Sequence, residues 1–282
     1  MYNAVSKLHP LLIATALLLA SCGSKNDESA QAGKLVAEAD SALKAGDYAT
    51  ALERLDTLKV KYPAQIEAQR EGMHLRPQVI EGQTIKELES TDSLQSWYSH
   101  LQDSLMQYFT LVDNPQLVEG YYVIKEYAKS TLFNRTGVES RVSPDGQFYM
   151  ISSLASNPVK HTSISLTDGN GKVTTATVDY DGERNYRSGG TEMITFTGAE
   201  CDTLGHFLTD NKAKNIKLIF NGKKSHTTTL SANDRLAMQR AYGLSQAMTG
   251  KRRMAAKRDF LDKQLLLARD QAARTSHTED DK

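Results

Sequence analysis

The spacing of the apolar residues changes near residue 115, and that change divides what the chain can fold into. From about Glu28 to Val112 glycine is sparse and apolar residues recur every three or four positions, the period of an amphipathic helix. From Leu117 onward apolar and polar residues alternate, and turn signals recur between short runs. The pattern predicts an α+β protein: an N-terminal helical hairpin and coiled arm over 33–115, an antiparallel β-sandwich-like domain over 116–250 with short helices, and a C-terminal helix with a frayed tail over 251–282.

Within the helical half, Leu35, Ala39, Ala42 and Leu43 form one stripe, and Ala51, Leu52, Leu55 and Leu58 form the next. Gly46-Asp47-Tyr48 separates them and Pro63 stops the second, because proline supplies no N–H to continue a helix. This stretch resembles a tetratricopeptide repeat, with Ala51 and Leu55 four apart and Pro63 at the end; it departs at Glu38 and Ala42, where large apolar residues are usual. A lone repeat cannot bury its face, so the resemblance implies packing on the helices that follow. Ile66, Met73 and Ile80 recur at seven-residue spacing across a helix that Pro77 should kink or split. Leu94, Tyr98, Leu101, Leu105, Tyr108 and Val112 then make a heptad seam, expected to lie antiparallel against the preceding segment.

In the second half, strands are expected over 118–124, 138–142, 147–152, 163–166, 173–180, 191–197, 216–220 and 225–230. Ser143-Pro144-Asp145-Gly146 and Asp168-Gly169-Asn170-Gly171 have turn chemistry between flanking strands. A short helix is expected around Ala199 to Leu208. Ser231 caps another, with Asp234 three residues on and Leu236, Ala237, Ala241, Leu244 and Met248 facing inward. Gly250 is expected to end it, and a last helix to begin at Lys251.

The N-terminus speaks to location. Lys7 precedes the apolar run Leu11 to Ala20, which is too short to cross a bilayer and reads as a secretory signal over 1–21. Leu19-Ala20-Ser21-Cys22 resembles the bacterial lipobox, which implies cleavage before Cys22, diacylglycerol on its sulfur and acylation of its new amine, palmitate being a usual chain. Two or three acyl chains anchor a protein stably where one does not. Residues 22–32 then read as a flexible tether, and Ser24-Lys25-Asn26-Asp27-Glu28 is similar to the acidic export signal of Bacteroidetes outer-membrane lipoproteins. The helical first half, the β-plus-helix second half and the stretches Tyr180-Asp181-Gly182-Glu183-Arg184 and Phe196-Thr197-Gly198-Ala199-Glu200-Cys201 are similar to envelope lipoproteins of that phylum.

Chemistry is sparse. The chain has 34 basic and 34 acidic residues, so no field favours nucleic acid. With Cys22 acylated, Cys201 has no disulfide partner and is expected to pack as a small hydrophobe. Asp168-Gly169-Asn170-Gly171 begins like a calcium loop, but Lys172 stands where another oxygen is needed and no acid closes it. His9, His74, His100, His161, His206, His226 and His277 include no pair at zinc-ligand spacing, although His206 and His226 are open to meeting in space. No nucleophile elbow or phosphate-binding glycine loop is present. The expectation is no catalytic residue, no metal and no cofactor. Lys251, Arg252, Arg253, Lys257 and Arg258 open the last expected helix, where the dipole disfavours cations, so an external anion is conceivable beside an ordinary packed helix.

Five triplets of aspartate, hydroxyl residue and small or aliphatic residue match the general O-glycosylation acceptor of Bacteroidetes. They place candidate sites at Ser41, Thr57, Ser93, Ser104 and Thr203. The expected function is a lipid-anchored, non-catalytic scaffold or protein-interaction module on the outer membrane, exposed at the surface. It is held to the membrane through its N-terminal lipid and has a protein partner. The alternative is a glycan- or peptide-binding surface lipoprotein, for which Tyr121, Tyr122 and Tyr127 are the aromatic residues to place; an enzyme is the third reading.

Overall fold

Both periodicities are realised in the computed structural model, which describes residues 24–113, 119–128, 132, 134–155 and 158–280. The helices are α1 (Ser24–Lys44), α2 (Tyr48–Lys61), α3 (Ile66–Met106), α4 (Asp202–Asp210) and α5 (Ala232–Asp280). The strands are β1 (Phe109–Val112), β2 (Tyr121–Ile124), β3 (Gly137–Val142), β4 (Phe148–Leu154), β5 (Ser163–Thr167), β6 (Lys172–Thr174), β7 (Asn185–Ser188), β8 (Thr191–Thr197), β9 (Lys217–Asn221) and β10 (Ser225–Thr229). The described residues form two units, one running to Glu89 and resuming at Asp259, the other Ser90–Arg258. Helices α3 and α5 contribute to both.

In the first unit, Gly46 takes a left-handed φ of 72° at the corner between α1 and α2, and Asp47 caps α2 by accepting the Thr50 N–H at 3.1 Å. Ala39, Ala51, Leu55 and Val79 then meet in one core, and Ala32, Val36 and Leu58 in a second. The repeat-like stripes are therefore buried, and α3 supplies the cover a single repeat lacks. Gly72 and Gly82 of α3 let it approach α2 closely, Gly82 lying directly under the Tyr48 ring.

The second unit holds two antiparallel sheets, of order β1-β2-β3-β4-β8-β7 and β10-β9-β5-β6. Phe148, Met150, Ile194 and Phe196 of the first share one core with Ile164, Leu166, Leu218 and Phe220 of the second. Leu204 and Leu208 of α4 and Met238, Ala241 and Leu244 of α5 join it. The α+β class and the sandwich-like domain are both present, and the two helices expected after it are one long helix, α5.

Several expectations are corrected. The tether expected over 22–32 is helical from Ser24, and Ala32 is buried against α2 residues. Pro77 does not split α3, because Leu75 and Val79 on either side are packed in the core and outweigh one lost hydrogen bond. Of the row Ile66, Met73 and Ile80, the first two are exposed, so packing follows Leu75 and Val79 instead. The heptad seam stops at Met106: Phe109–Val112 pairs with β2, where Phe109 fills the sandwich core. Its partner is not the preceding segment, which is the same helix, but α5. Gly250 lies under the Tyr98 ring, Gly243 meets Leu105, and Arg258 pairs with Asp92 at 2.8 Å, an antiparallel register. Gly250 is thus a seat for a ring rather than a stop, and α5 runs through it. Lys251 to Arg258 lie mid-helix, so the dipole argument for an external anion fails there. Leu236, expected inward, is 44% exposed, and Met238 takes the core position.

Candidate functional site

The most chemically specific cluster joins the two sheets of the second unit. Along β8, Glu192 has the same parity as Ile194 and Phe196 and so points into the core, as does Ser152 along the neighbouring strand β4. His161 closes the crossover that leaves β4 and enters β5. Its Nδ1 lies 2.8 Å from Glu192 Oε1 and its Nε2 2.8 Å from Ser152 Oγ. Glu192 also accepts the backbone N–H of Val159, Lys160 and His161 at 2.9, 2.9 and 3.2 Å. Those bonds hold Lys160 in a left-handed conformation with φ 54°, which a non-glycine residue adopts only when its surroundings fix it.

A carboxylate accepting from Nδ1–H leaves Nε2 to accept the Ser152 hydroxyl proton. Burial holds the imidazole pKa below its ordinary value, against the opposing pull of Glu192. Burial pushes the Glu192 carboxyl up, but the His161 bond and the backbone N–H groups outweigh it and leave it lowered. The result is a neutral imidazole between a hydroxyl and a carboxylate, the order found in acyl-transfer triads. Ser152 and His161 are nonetheless 0% exposed, Glu192 is 1% exposed, and the Phe220 ring stands edge-on to the imidazole at 5.1 Å. In this conformation the cluster is a polar rivet between β4, β8 and the crossover.

A half-buried cluster lies on the other face of the first sheet. Val123 opposes Arg141 and Arg141 opposes Tyr149 across β2, β3 and β4. The Arg141 guanidinium sits 3.8 Å from the Tyr121 ring centroid and 2.6 Å from Glu139 Oε1, and the Tyr121 and Tyr149 rings meet edge to face at 6.4 Å. Burial pushes the Tyr149 hydroxyl up to about 12, so it stays a neutral donor. Of the three tyrosines singled out from sequence, only Tyr121 belongs here. Tyr122 packs on the core side, and Tyr127 donates at 2.7 Å to Asp234, which also accepts from Arg135 at 2.8 Å.

The first unit carries an open cleft of about 540 Å³ lined by Val36, Ala37 and Asp40 of α1, Glu71, His74, Leu75 and Gln78 of α3, and Ala272 and Thr275 of α5. Val36 and Leu75 make an apolar floor; on the rim Glu71 supplies a carboxylate, and Asp40 is paired with Lys44 at 2.6 Å.

Cys22 lies outside the described residues. The five candidate acceptors all fall on helices: Ser41, Ser93, Ser104 and Thr203 are exposed, while Thr57 is half-buried and donates to Glu53 O at 2.8 Å. His206 pairs with Asp210 at 3.6 Å on α4, and His226 lies beside Phe220. Cys201 is buried, its thiol directed at Phe196 O and Gly198 O, and burial raises its pKa. Asp168 accepts the N–H of Asn170 and Gly171, which makes its loop a turn. Among the described residues no group of three or more metal-ligating side chains gathers. The relay of Ser152, His161 and Glu192 went unseen in the sequence, where its members lie far apart. One signal was there: Glu192 occupies an inward position of an alternating strand, and a buried acid requires partners.

No family model, curated protein or solved structure matches this chain.

Proposed function

We propose that the chain is a lipid-anchored envelope protein, attached through Cys22 at the outer membrane, whose helical unit docks a protein segment without catalysing a reaction on it. The cleft of the first unit carries this reading: three helices line a space of about 540 Å³ with an apolar floor of Val36 and Leu75, the Glu71 carboxylate on its rim, and Asp40 beside it paired with Lys44. That chemistry fits a partner segment presenting a basic residue beside an apolar one. Ala37 is exposed within the cleft, so Ala37→Trp fills it without touching the core. A photo-crosslinker at Gln78 of the membrane-anchored protein should trap one discrete protein in native envelopes, and Ala37→Trp should abolish that product. Trapping unchanged by Ala37→Trp would overturn the docking site. Anchoring is tested separately: Cys22→Ser should move the protein from the detergent phase to the aqueous phase, and an unchanged partition would refute lipidation.

The cluster of Tyr121, Arg141 and Tyr149 favours a second reading, binding of a glycan on the outer face of the first sheet. The half-buried tyrosine rings offer a sugar a stacking surface, and Arg141, paired with Glu139 at 2.6 Å, keeps further guanidinium N–H donors for a sugar's oxygens. Retention on an acidic polysaccharide that Tyr121→Ala removes would favour it over protein docking.

A further inference from the structure

The second sheet ends on β10, and that edge lacks the usual defences. Edge strands are commonly blunted by lysine, proline, bulges or inward-pointing charge. Strand β10 reads Ser225-His226-Thr227-Thr228-Thr229, with no lysine, arginine, carboxylate or proline, and its register with β9 is unbroken from Ser225 opposite Asn221 to Thr229 opposite Lys217. At two other edges, β6 carries Lys172 and β7 carries Arg187.

The ladder fixes which backbone groups are free. Leu230 N–H donates to Ile216 O at 2.8 Å and Gly222 N–H to Lys224 O at 3.2 Å. Hydrogen-bonded and non-bonded pairs alternate in an antiparallel ladder, so His226, Thr228 and Leu230 bond inward to β9. Ser225, Thr227 and Thr229 therefore direct their N–H and C=O groups outward, and these same three residues are exposed.

We propose that β10 pairs antiparallel with β10 of a second copy of this chain, about a twofold axis through Thr227. In that register Thr227 faces its own counterpart and Ser225 faces Thr229, so every outward N–H meets an outward carbonyl. A shift of one residue sets outward groups against inward ones and leaves them unpaired. A shift of two brings either the turn lysines Lys223 and Lys224 or the start of α5 against the strand. The strand's self-complementarity singles out a copy of itself. Hydroxyl side chains oppose hydroxyl side chains, which pair favourably across strands, and Lys224 faces Leu230 rather than another cation. Lys217 is drawn back to its own side by a 3.0 Å bond to Thr229 Oγ1. The joint is isologous, closes at two copies and makes one sheet of double width.

The test uses the full chain solubilised in detergent. Sedimentation should show a concentration-dependent dimer. Under mild oxidation Thr227→Cys should form a disulfide-linked dimer, because Cα atoms of directly opposed residues lie within disulfide reach. Ser225→Cys alone should not, since it faces Thr229, whereas Ser225→Cys combined with Thr229→Cys should. Buried Cys201 stays out of the reaction. Thr227→Pro removes only an outward N–H, which an edge strand tolerates, and should weaken the dimer about tenfold or more with unchanged circular dichroism. A monomer at every concentration, equal cross-linking by Thr227→Cys and Ser225→Cys, or a dimer unmoved by Thr227→Pro overturns the pairing. So does displacement of the second copy by an unrelated extended peptide as readily as by a Ser225–Thr229 peptide.

Discussion

Replacing Glu192 by glutamine tests whether the buried relay holds the two sheets together. The side chains are nearly isosteric, so packing is kept and only hydrogen bonding changes. Glutamine can place its carbonyl where Oε1 accepts from Val159, His161 N–H and Nδ1, but its amide then faces the Lys160 N–H that Oε2 now accepts at 2.9 Å. One backbone donor loses its acceptor, two donors face each other, and the remaining bonds lose their charge. A bond to a charged group contributes about 1.5–3 kcal/mol, and leaving a buried donor unmet costs about 1–3, so the expected loss is about 3–5 kcal/mol. Against a typical stability of about 5–15 kcal/mol that is a large fraction. Trp97, the single tryptophan, lies in the same unit as Glu192, so its emission in a urea titration reports on that unit. The midpoint should fall with an unchanged slope. The pH dependence follows from the two lowered pKa values. The unfolded chain protonates His161 near its ordinary 6.5 while the folded chain resists, so stability is full above that value and declines as pH falls through it. Glu192 adds a second decline as pH falls below its ordinary 4.5. Glu192→Gln should remove that second decline. A loss under about 1 kcal/mol, or an acid profile identical to the parent's, would refute the rivet.

Three other outcomes are expected. Ser140 Oγ is buried among the core residues of β3 with no hydrogen-bond partner, so Ser140→Ala should raise stability by about 1 kcal/mol, read as a higher urea midpoint. Gly250→Ala should destabilise by about 1–3 kcal/mol because its new Cβ would strike the Tyr98 ring, although helix propensity alone favours alanine; thermal unfolding gives the sign. Asp234→Asn should cost about 3 kcal/mol or more, since Arg135, Tyr127 and the Val138 N–H all converge on that 2% exposed carboxylate, and chemical denaturation measures it.

The hairpin of α1 and α2 was legible because its information is local: a helical stripe, a glycine with positive φ, an aspartate cap and a terminating proline. The turns at Ser143–Gly146 and Asp168–Gly171 were legible for the same reason, with Gly146 and Gly169 at positive φ as turn chemistry demands. What escaped was decided by distant partners. Phe109–Val112 continues the heptad spacing, yet pairing with Tyr121–Ile124 overrides it. Gly250 resembles a helix stop until the Tyr98 ring is seen to rest on it, and Gly205 of α4 likewise seats the Tyr242 ring. Strand β7 lacks a clear apolar alternation and exists because β8 offers it an edge. Among site residues the same division holds. Arg141, Tyr121 and Tyr149 lie far apart in the sequence and come together only through the register of three strands.

The strand order has a consequence for how the chain acquires its shape. After β4 the chain leaves the first sheet, lays down β5 and β6 of the second, returns for β7 and β8, and only then supplies β9 and β10. Strand β5 waits for β9 and β4 waits for β8, so neither sheet can be finished from an uninterrupted stretch. While synthesis is under way, those strands expose bare edges and the apolar residues that will face each other. The half-built sandwich stays open until Lys217 arrives, and any truncation short of β9 should yield aggregate rather than a smaller domain.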